Sequence, residues 1–316
     1  MIKLIPQISK KIEKVLKKLK LKPKERPQDF IKRTKKTKHR YFSLCENEKG
    51  KKLIFYARIF DSFFDKKRME TEIKIAKVLK RKKINLFPQY FESKIEKDFE
   101  WLTREYFLQS PLEDEKEIEK LKRNLTQKEI EKIAKGAFSL TKIKISDFPF
   151  LEKFKIKEYL NLEKEIERKK ILERKEIEKL KKLLEKNREL LEKENRYFCH
   201  GDFHIGNILI FNGKLKILDL ESAKINNFAF DIAFFYTRLW KEKKVREKIL
   251  NSFLSLLPKK FLEKFKILFK IDCLFIGYHS FLAQPKEYSK KIIQKRKNFY
   301  LNFLKRLLLF KNLGEN

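Results

Sequence analysis

Cysteine is scarce in this chain of 316 residues, which contains only three. Cys45, Cys199 and Cys273 stand far apart, and no CxxC pair occurs. A disulfide framework and a zinc knuckle both require cysteines or histidines at characteristic spacings. The sequence therefore predicts neither, and its cysteine usage is typical of a reducing compartment.

Long apolar runs are also missing. The opening segment, MIKLIPQISKKIEKVLKKLK, has charges throughout and lacks the apolar core of a signal peptide. No other window reaches the roughly 18 uninterrupted apolar residues that a membrane-spanning helix needs. We therefore expect a protein that is neither secreted nor membrane-spanning, with a cytoplasmic location.

Glycine and proline are few, 7 and 8 residues, whereas lysine, isoleucine, phenylalanine and asparagine are abundant, as expected of an AT-rich coding sequence. The formal net charge is +36, which would ordinarily indicate a polyanionic partner. The basic residues are spread along the chain and interleaved with glutamate, as from Glu163 to Arg168, and do not form one tract with stacking aromatic residues. Dedicated nucleic-acid binding is therefore an alternative that the pattern does not favour.

The first periodic segment spans residues 7–20. Ile8, Ile12, Val15, Leu16 and Leu19 fall on one helical face, and prolines follow the segment. This predicts an amphipathic helix that packs on its own domain. Peripheral contact with a membrane surface is the alternative, and nothing else in the sequence indicates it.

A small α+β lobe is predicted over residues 1–108. YFSLCEN and KLIFYARIF are short runs rich in aromatic and β-branched residues, and a polar turn at Gly50 separates them, which predicts a hairpin. ETEIKIAKVLKRKKI has helical spacing, and EWLTREYF reads as a further strand.

The remainder, residues 109–316, is predicted to form a larger helical lobe. Residues 151–196 indicate a partly packed, solvated helix pair. Within this lobe ILIF and LKILDL flank Asn212-Gly213, a strong hairpin signal. An acidic run past residue 112 is interpreted as a solvated helix face, and consists of Glu113, Asp114, Glu115, Glu117 and Glu119.

One cluster of residues has the composition that phosphoryl transfer requires. That reaction needs a carboxylate beside the acceptor hydroxyl, oxygen ligands for Mg²⁺ and a cation that holds the nucleotide phosphates. His200-Gly201-Asp202 is followed by Asn207, which repeats the aspartate-to-asparagine spacing of the kinase catalytic loop. Because these residue types occur together and in order, we interpret the cluster as a catalytic site.

The run HGDFHIGN resembles the HGDxHxxN signature of the aminoglycoside phosphotransferase and choline kinase superfamily. LDLES, after the hairpin, is similar to the metal-binding aspartate segment of that superfamily. The resemblance is sharp over residues 198–234 and looser over 38–240. It implies an α+β, two-lobed, protein-kinase-like fold, with a small β-rich N-terminal lobe that covers the nucleotide and a larger helical C-terminal lobe.

The resemblance also implies roles for individual residues. Asp202 would be the catalytic base, and Asn207 and Asp219 would bind Mg²⁺. His200 would support the loop by hydrogen bonding, and Asp231 would brace it. The roles of His204 and Glu221 stay open.

The nucleotide side departs from the family pattern. Where relatives place a phosphate-binding lysine, the best register puts Arg58, and Glu72 then matches its helical glutamate partner. Arginine is bidentate and less adaptable than lysine, so the substitution could alter phosphate placement. Lys51 and Lys52 are fallback phosphate contacts. No glycine-rich loop precedes them, so the cover over ATP would have to be a hairpin that is not glycine-rich.

The segment TREYFLQSPL resembles the interlobe hinge of the family. Backbone groups from Glu105 to Phe107 would then meet the adenine of ATP. The family often has a glycine after this stretch, and Gln109-Ser110 stands there instead.

The function that the resemblance implies is ATP- and Mg²⁺-dependent transfer of the γ-phosphate to a hydroxyl of a small molecule, whether a metabolite, a sugar or an aminoglycoside-like acceptor. Because the chain is strongly basic, we rank a neutral or anionic acceptor above a polycationic one. A nucleotide-binding pseudokinase is the alternative, which Arg58 motivates. A basic nucleic-acid-binding protein is the third hypothesis, and the oligomeric state is left open.

Overall fold

The computed structural model describes residues 4–27, 29, 40–59, 63–82, 84–96, 99–114, 117, 119–285 and 288–309. It divides into two compact units. Met1–Ser110 and Phe211–Ser222 form the first, and Pro111–Ile210 and Ala223–Asn316 form the second. A sheet dominates the first unit and helices dominate the second, so the predicted α+β class is confirmed.

The first unit contains a sheet whose neighbouring strands are antiparallel and follow the order β1-β2-β3-β5-β4. In the sequence, one helix precedes the first three strands and another follows them. The elements of this unit are α1 (Leu4–Lys18), β1 (Leu21–Pro23), β2 (Arg40–Asn47), β3 (Lys52–Ile59), α2 (Phe63–Lys82), β4 (Tyr90–Ile95) and β5 (Phe99–Glu105).

The predicted hairpin is confirmed in β2 and β3, which pair with Ser43 opposite Phe55. Gly50 lies in the connecting turn with φ of +73°, a conformation that glycine adopts without a steric cost. The predicted strand over EWLTREYF is confirmed as β5, which pairs with β3. The sequence pattern therefore predicted this part of the sheet correctly.

Helix α1 packs on the sheet of its own unit, as expected. Ile12 and Leu16 are buried in a cluster that includes Phe55 and Trp101, whose rings stack with centroids 5.9 Å apart. The side chain of Ile8, predicted to share this face, lies outside the described residues. No helix in the described part of the chain is both long enough and apolar enough to cross a membrane.

The segment Phe211–Ser222 belongs with the first unit, although the sequence-based division placed it in the C-terminal lobe. The amide of Ile217 donates to the Leu86 carbonyl at 2.9 Å, and Lys216 Nζ donates to the Phe87 carbonyl at 3.1 Å. The rings of Phe107 and Phe211 meet edge to face at 5.4 Å. These contacts join residues far apart in sequence, so periodicity and turn signals could not reveal them.

The second unit is mainly helical. Its elements are α3 (Gln127–Leu140), α4 (Ile156–Leu160), α5 (Leu162–Arg168), α6 (Arg174–Lys186), α7 (Arg188–Glu194), β6 (Tyr197–Cys199), β9 (Lys224–Asn226), α8 (Phe230–Arg238), α9 (Lys243–Leu254), α10 (Leu262–Leu282) and α11 (Lys290–Leu309).

Two further strands, β7 (Ile208–Phe211) and β8 (Lys214–Ile217), form a separate two-stranded sheet. Asn212 and Gly213 join them, with φ of +49° and +69°. Positive φ at both central residues is what a type I′ hairpin turn requires. The predicted hairpin is confirmed.

The prediction of a helix pair over residues 151–196 is wrong in number, since the structure has the four shorter helices α4 to α7 there. Asn161 joins α4 to α5 and Asn187 joins α6 to α7, each as the cap of both helices. Asparagine bonds its own backbone readily and so favours such junctions over a continuous helix. Leu180, Leu184 and Leu191 are buried, so the predicted packed face is present.

Candidate active site

The loop after β6 is tied to the start of helix α8. β6 pairs antiparallel with β9, with Cys199 opposite Lys224, and α8 begins shortly after β9. The amides of His200 and Gly201 donate to the carboxylate of Asp231, at 2.8 Å and 3.0 Å. One buried carboxylate thus accepts both hydrogen bonds and holds the beginning of the loop.

Asp231 and His200 are both buried inside this loop. Burial raises the pKa of Asp231, although His200, the two backbone amides and the charge of Lys224 oppose the rise. His200 Nδ1 accepts a hydrogen bond from the Asp202 amide at 3.2 Å. The imidazole ring therefore bonds the backbone of the loop from within.

The loop brings the partly exposed Asp202 and the buried Asn207 together. Asn207 Nδ2 donates to the Asp202 carbonyl at 3.0 Å and to Asp202 Oδ2 at 3.2 Å. The amide nitrogen of Asn207 is thus used by Asp202, and its Oδ1 is the atom left to meet a cation. Asn207 ends a short 3₁₀ turn, Ile205–Asn207, which fixes the spacing between the two residues.

His204 places a ring N–H group beside Asp202. Its Nδ1 accepts from the Gly206 amide at 3.0 Å, so the remaining proton lies on Nε2, which is 3.6 Å from Asp202 Oδ2. Burial raises the pKa of Asp202, but the interaction with His204, helped by His200 and by the charge of Arg238, more than compensates and holds that pKa below its usual value. Asp202 is therefore an ionised, partly exposed carboxylate.

Gly206 is a position where the loop requires glycine for reasons of space. A Cβ atom there would lie 2.6 Å from Glu113 Oε2 and 2.6 Å from His204 Cε1. The missing side chain lets Glu113 approach this loop closely. Sequence reasoning did not assign Glu113 to this region.

In the first unit Asp219 has a left-handed backbone, with φ of +61°. Its neighbours Leu218 and Leu220 are buried, whereas Asp219 is half-buried. Such a conformation is uncommon for residues other than glycine and persists where packing on both sides fixes it. The packed leucines thus fix the backbone from which the Asp219 carboxylate projects.

Arg58 is buried on β3 and forms an ion pair with Glu221, with Nη1 2.7 Å from Oε2. The expected partner was Glu72. Glu72 Oε1 instead accepts a hydrogen bond from the Tyr90 hydroxyl at 3.4 Å. Burial, followed by the charge of Asp219, raises the pKa of Glu72 to about 8, and Arg104 opposes this rise.

The residues expected to meet the adenine begin at Glu105, which is the last residue of β5. The Glu105 amide donates to the Gln89 carbonyl at 2.8 Å, and Glu105 Oε2 accepts from the Gln89 amide at 3.1 Å. Phe107 is buried, with its ring against Phe211. The Glu105 amide is therefore already bonded, and the Glu105 carbonyl accepts from Arg104 Nη1 at 3.4 Å. A carbonyl oxygen has two lone pairs, so this carbonyl and the Phe107 backbone are the groups that could meet a base.

The interpretation of the acidic run as a solvated helix face is wrong for Glu119, which is 2% exposed. Its carboxylate accepts from Arg296 Nε at 2.9 Å and from Trp240 Nε1 at 2.7 Å, and it pairs with Arg238 Nη1 at 2.9 Å. Glu119 also has φ of +63° and lies in a turn. Cations distant in sequence bury this carboxylate, so charge periodicity gave no signal for it.

Lys224 is another residue near this loop that the sequence did not indicate. Its Nζ lies 4.7 Å from the centre of the Phe230 ring and 5.1 Å from that of Phe154. Burial lowers the pKa of Lys224, while nearby acidic groups that include Asp231 and Asp202 oppose the fall. The only available signal was its place on the chain, shortly after Asp219.

Comparison with known proteins identifies the family. The model of the "Phosphotransferase enzyme family" matches residues 49–254, more than half of the chain. No curated protein sequence matches this chain.

Solved structures with the same fold have low sequence identity to the chain. The amicoumacin kinase hAmiN, in complex with AMP-PNP, Ca²⁺ and Ami, is 12% identical with a TM-score of 0.54, over 85% of this chain and 86% of that one. The GDP and kanamycin complex of APH(2")-IIia is 13% identical with a TM-score of 0.55, over 84% and 89%. Choline kinase from Cryptosporidium parvum Iowa II is 16% identical with a TM-score of 0.53, over 85% and 87%.

These structures show a kinase-like fold, and the family match covers the loop of Asp202 and Asn207, the Asp219 segment and Asp231. The resemblance drawn from HGDFHIGN and LDLES is confirmed, and the chain belongs to the phosphotransferase enzyme family.

Proposed function

We propose that the protein transfers the γ-phosphate of ATP to a hydroxyl group of a small molecule, with Mg²⁺ as the metal. The observation that supports this most directly is the arrangement of Asp202 and Asn207 on a loop that Asp231 holds by two amide hydrogen bonds. A partly exposed, ionised carboxylate in a braced loop can accept a hydroxyl proton.

The residues present fit a Mg²⁺ site. The amide of Asn207 turns its nitrogen to Asp202, which leaves an oxygen for a cation. Asp219 forms no ion pair with any residue that the structure describes. Both side chains offer hard oxygen donors, and Mg²⁺ commonly takes one or two such protein ligands together with phosphate oxygens and water. Asn207 and Asp219 would hold the ion, which would neutralise charge on the transferring phosphate.

Asp202 would perform the proton transfer. Its carboxylate orients the acceptor hydroxyl and takes its proton as the oxygen attacks phosphorus. The Asn207 and His204 contacts fix the carboxylate, so little rearrangement is needed at the moment of transfer. His200 and Asp231 would act by positioning the loop.

The nucleotide would be held by the first unit. Arg58 would neutralise phosphate charge, and the carbonyl of Glu105 with the backbone of Phe107 would bind the base. The hAmiN structure contains AMP-PNP and that of APH(2")-IIia contains GDP. These neighbours support a nucleotide donor, and a competition assay with ATP and GTP would establish which one this chain prefers.

Lys224 supports a neutral or anionic acceptor. A half-buried cation stacked on Phe154 and Phe230, close enough to Asp202 for their charges to interact, would repel a polycationic antibiotic. It would favour a hydroxylated acceptor that bears a carboxylate or phosphate. Lys224→Gln should then lower kcat/KM for anionic acceptors. The value of kcat/KM for matched neutral acceptors should stay nearly unchanged.

The Arg58–Glu221 pair favours the pseudokinase as a second candidate, because a cation that already has a carboxylate partner is less available to phosphate. Arg58→Ala distinguishes the two. If Arg58 binds phosphates, the substitution weakens nucleotide affinity measured by calorimetry. An unchanged affinity would remove Arg58 from the site.

The first experiment is transfer of labelled γ-phosphate with and without Mg²⁺ over a panel of hydroxylated metabolites, sugar acids, choline and aminoglycosides. Asp202→Asn should reduce acceptor-stimulated turnover by about 10² to 10⁴-fold and leave nucleotide binding intact. Glu178→Gln, an equivalent change at an exposed carboxylate, is the control. If Asp202→Asn turns over as fast as the wild type, Asp202 is not the base. If the wild type binds nucleotide but shows no turnover with any acceptor, the pseudokinase is favoured.

A further inference from the structure

The second unit contains an open cavity of about 480 Å³ along helix α11. Arg246, Phe299, Asn302, Phe303, Lys305 and Arg306 line it. None of these residues belongs to the catalytic loop or to the hinge. The volume falls in the range of sites that bind small molecules.

Arg246, at the start of α9, is 7% exposed and borders this cavity. Its guanidinium carbon Cζ lies 4.6 Å from the ring centre of Tyr236, 5.2 Å from that of Phe299 and 5.8 Å from that of Phe303. Nε and Nη1 are buried and have no hydrogen-bond partner in the described part of the chain.

A buried guanidinium without an anion is unfavourable, because the rings offset only part of the lost hydration. Among the residues that the structure describes, Arg246 forms no ion pair. A cavity that opens at such a group provides room for the missing negative charge. An oxyanion there would compensate for the desolvation of Arg246.

The other lining residues indicate what the anion would be attached to. Phe299 and Phe303 stack with centroids 5.7 Å apart and form an apolar wall. Arg306 is exposed and basic. Lys305 is already 3.6 Å from Glu173 and 3.9 Å from Glu176, so it is engaged by these two carboxylates.

We propose that this cavity binds a small molecule in which a phosphate or carboxylate group is joined to an aromatic or other apolar group. Arg246 meets the oxyanion, Arg306 adds positive charge at the entrance, and Phe299 and Phe303 contact the apolar part. The proposal stands apart from the proposed function, since it would hold for a catalytically silent chain.

Binding of phenyl phosphate, benzoate, inorganic phosphate and benzyl alcohol to the full chain tests the proposal, by calorimetry and by chemical shifts of the phenylalanine rings. We expect one of the two aromatic anions to bind more tightly than inorganic phosphate, and benzyl alcohol not to bind. Comparison of phenyl phosphate with benzoate decides between the two oxyanions. Failure of both aromatic anions to bind would overturn the proposal.

Variants locate the site. Arg246→Gln should weaken binding about tenfold or more, since a charge-assisted contact is lost. Arg306→Gln changes an exposed side chain, so this variant should fold even if Arg246→Gln does not. It should also weaken binding. Arg81→Gln, an exposed arginine of the first unit, is the control and should bind as the wild type does.

A phosphate probe could also enter the nucleotide site. Binding that is lost in Arg58→Gln and retained in both Arg246→Gln and Arg306→Gln would assign the probe to that site and overturn the proposal. Equal binding in all variants would mean nonspecific association with a basic protein and would overturn it as well.

Discussion

Arg58 and Glu221 form a buried ion pair, 2.7 Å between Nη1 and Oε2, although 163 residues separate them in the sequence. Their side chains are 6% and 11% exposed. The pair joins strand β3 to the segment that contains Asp219. Glu221, whose role was open from the sequence, therefore helps to fix the segment from which a proposed metal ligand projects.

Glu221→Gln should destabilise the protein, because it removes the negative charge that lies 2.7 Å from the buried Arg58 guanidinium. We expect the free energy of unfolding to fall by about 3 kcal/mol, measured by urea denaturation. Glu96→Gln provides the control, since Glu96 pairs with Lys94 near the surface of the same unit and such pairs contribute about 1 kcal/mol or less. Equal effects of the two substitutions would contradict a structural role for the buried pair.

Asp231→Asn should reduce both stability and activity. An asparagine has one acceptor oxygen, so the amides of His200 and Gly201 could not both keep their bonds. We expect a loss of about 1–3 kcal/mol in the free energy of unfolding, together with a lower kcat because the loop is no longer fixed.

Asp202→Asn is the comparison for Asp231→Asn. Asp202 is partly exposed and no backbone amide donates to its carboxylate among the hydrogen bonds of the described residues. That substitution should lower kcat with little change in thermal stability. A variant of Asp231 that is as stable as the wild type would show that the loop does not depend on this carboxylate.

Glu119→Gln should be among the more destabilising single substitutions in the second unit. It removes the charge that faces Arg296 and Arg238, and Arg296 is fully buried. We expect a loss of about 3–5 kcal/mol, seen as a lower midpoint in thermal or urea unfolding. Glu117→Gln, in the same turn but half exposed beside Lys120, should change stability by about 1 kcal/mol or less.

Asp272 should make stability depend on pH. Burial raises its pKa to about 7, although hydrogen bonds from Tyr159 and Asn227 oppose the rise. The folded protein thus keeps a proton that the unfolded chain releases at lower pH, so the stability contributed by protonated Asp272 is complete below the unfolded pKa and is lost as pH rises to about 7. This loss can reach about 4 kcal/mol.

Asp272→Asn removes that titration. The free energy of unfolding of the variant minus that of the wild type should therefore be larger at pH 8 than at pH 5. Urea denaturation at the two pH values measures this difference. A difference that is the same at both would show that Asp272 does not retain a proton in the folded state.

Much of the fold could be predicted from local patterns. The β2–β3 hairpin, strand β5, the amphipathic helix α1 and the β7–β8 hairpin all follow from alternation, helical spacing and turn residues. Each of these features depends on neighbours within about 20 residues, where backbone geometry alone relates side chains to a face. The division of residues 151–196 into four helices was missed. A single asparagine is a weak signal for a junction when the residues on both sides of it keep the helical spacing.

The segment that carries the family signature could be recognised for a similar reason. His200, Asp202 and Asn207 lie on one short stretch of chain, and their spacing is itself the geometry of a turn. Asp219 and Asp231 followed from their order relative to that stretch. Family membership and the class of reaction were therefore available from the sequence.

Tertiary structure alone decided the partners of the buried charges. Arg58 pairs with Glu221 where Glu72 was expected, Glu119 is enclosed by cations from distant helices, and Lys224 stacks on rings near Asp202. In a chain with 80 basic and 44 acidic residues, charge complementarity does not select a partner. Which charges meet depends on which elements pack together, and the free energy of burial makes that choice.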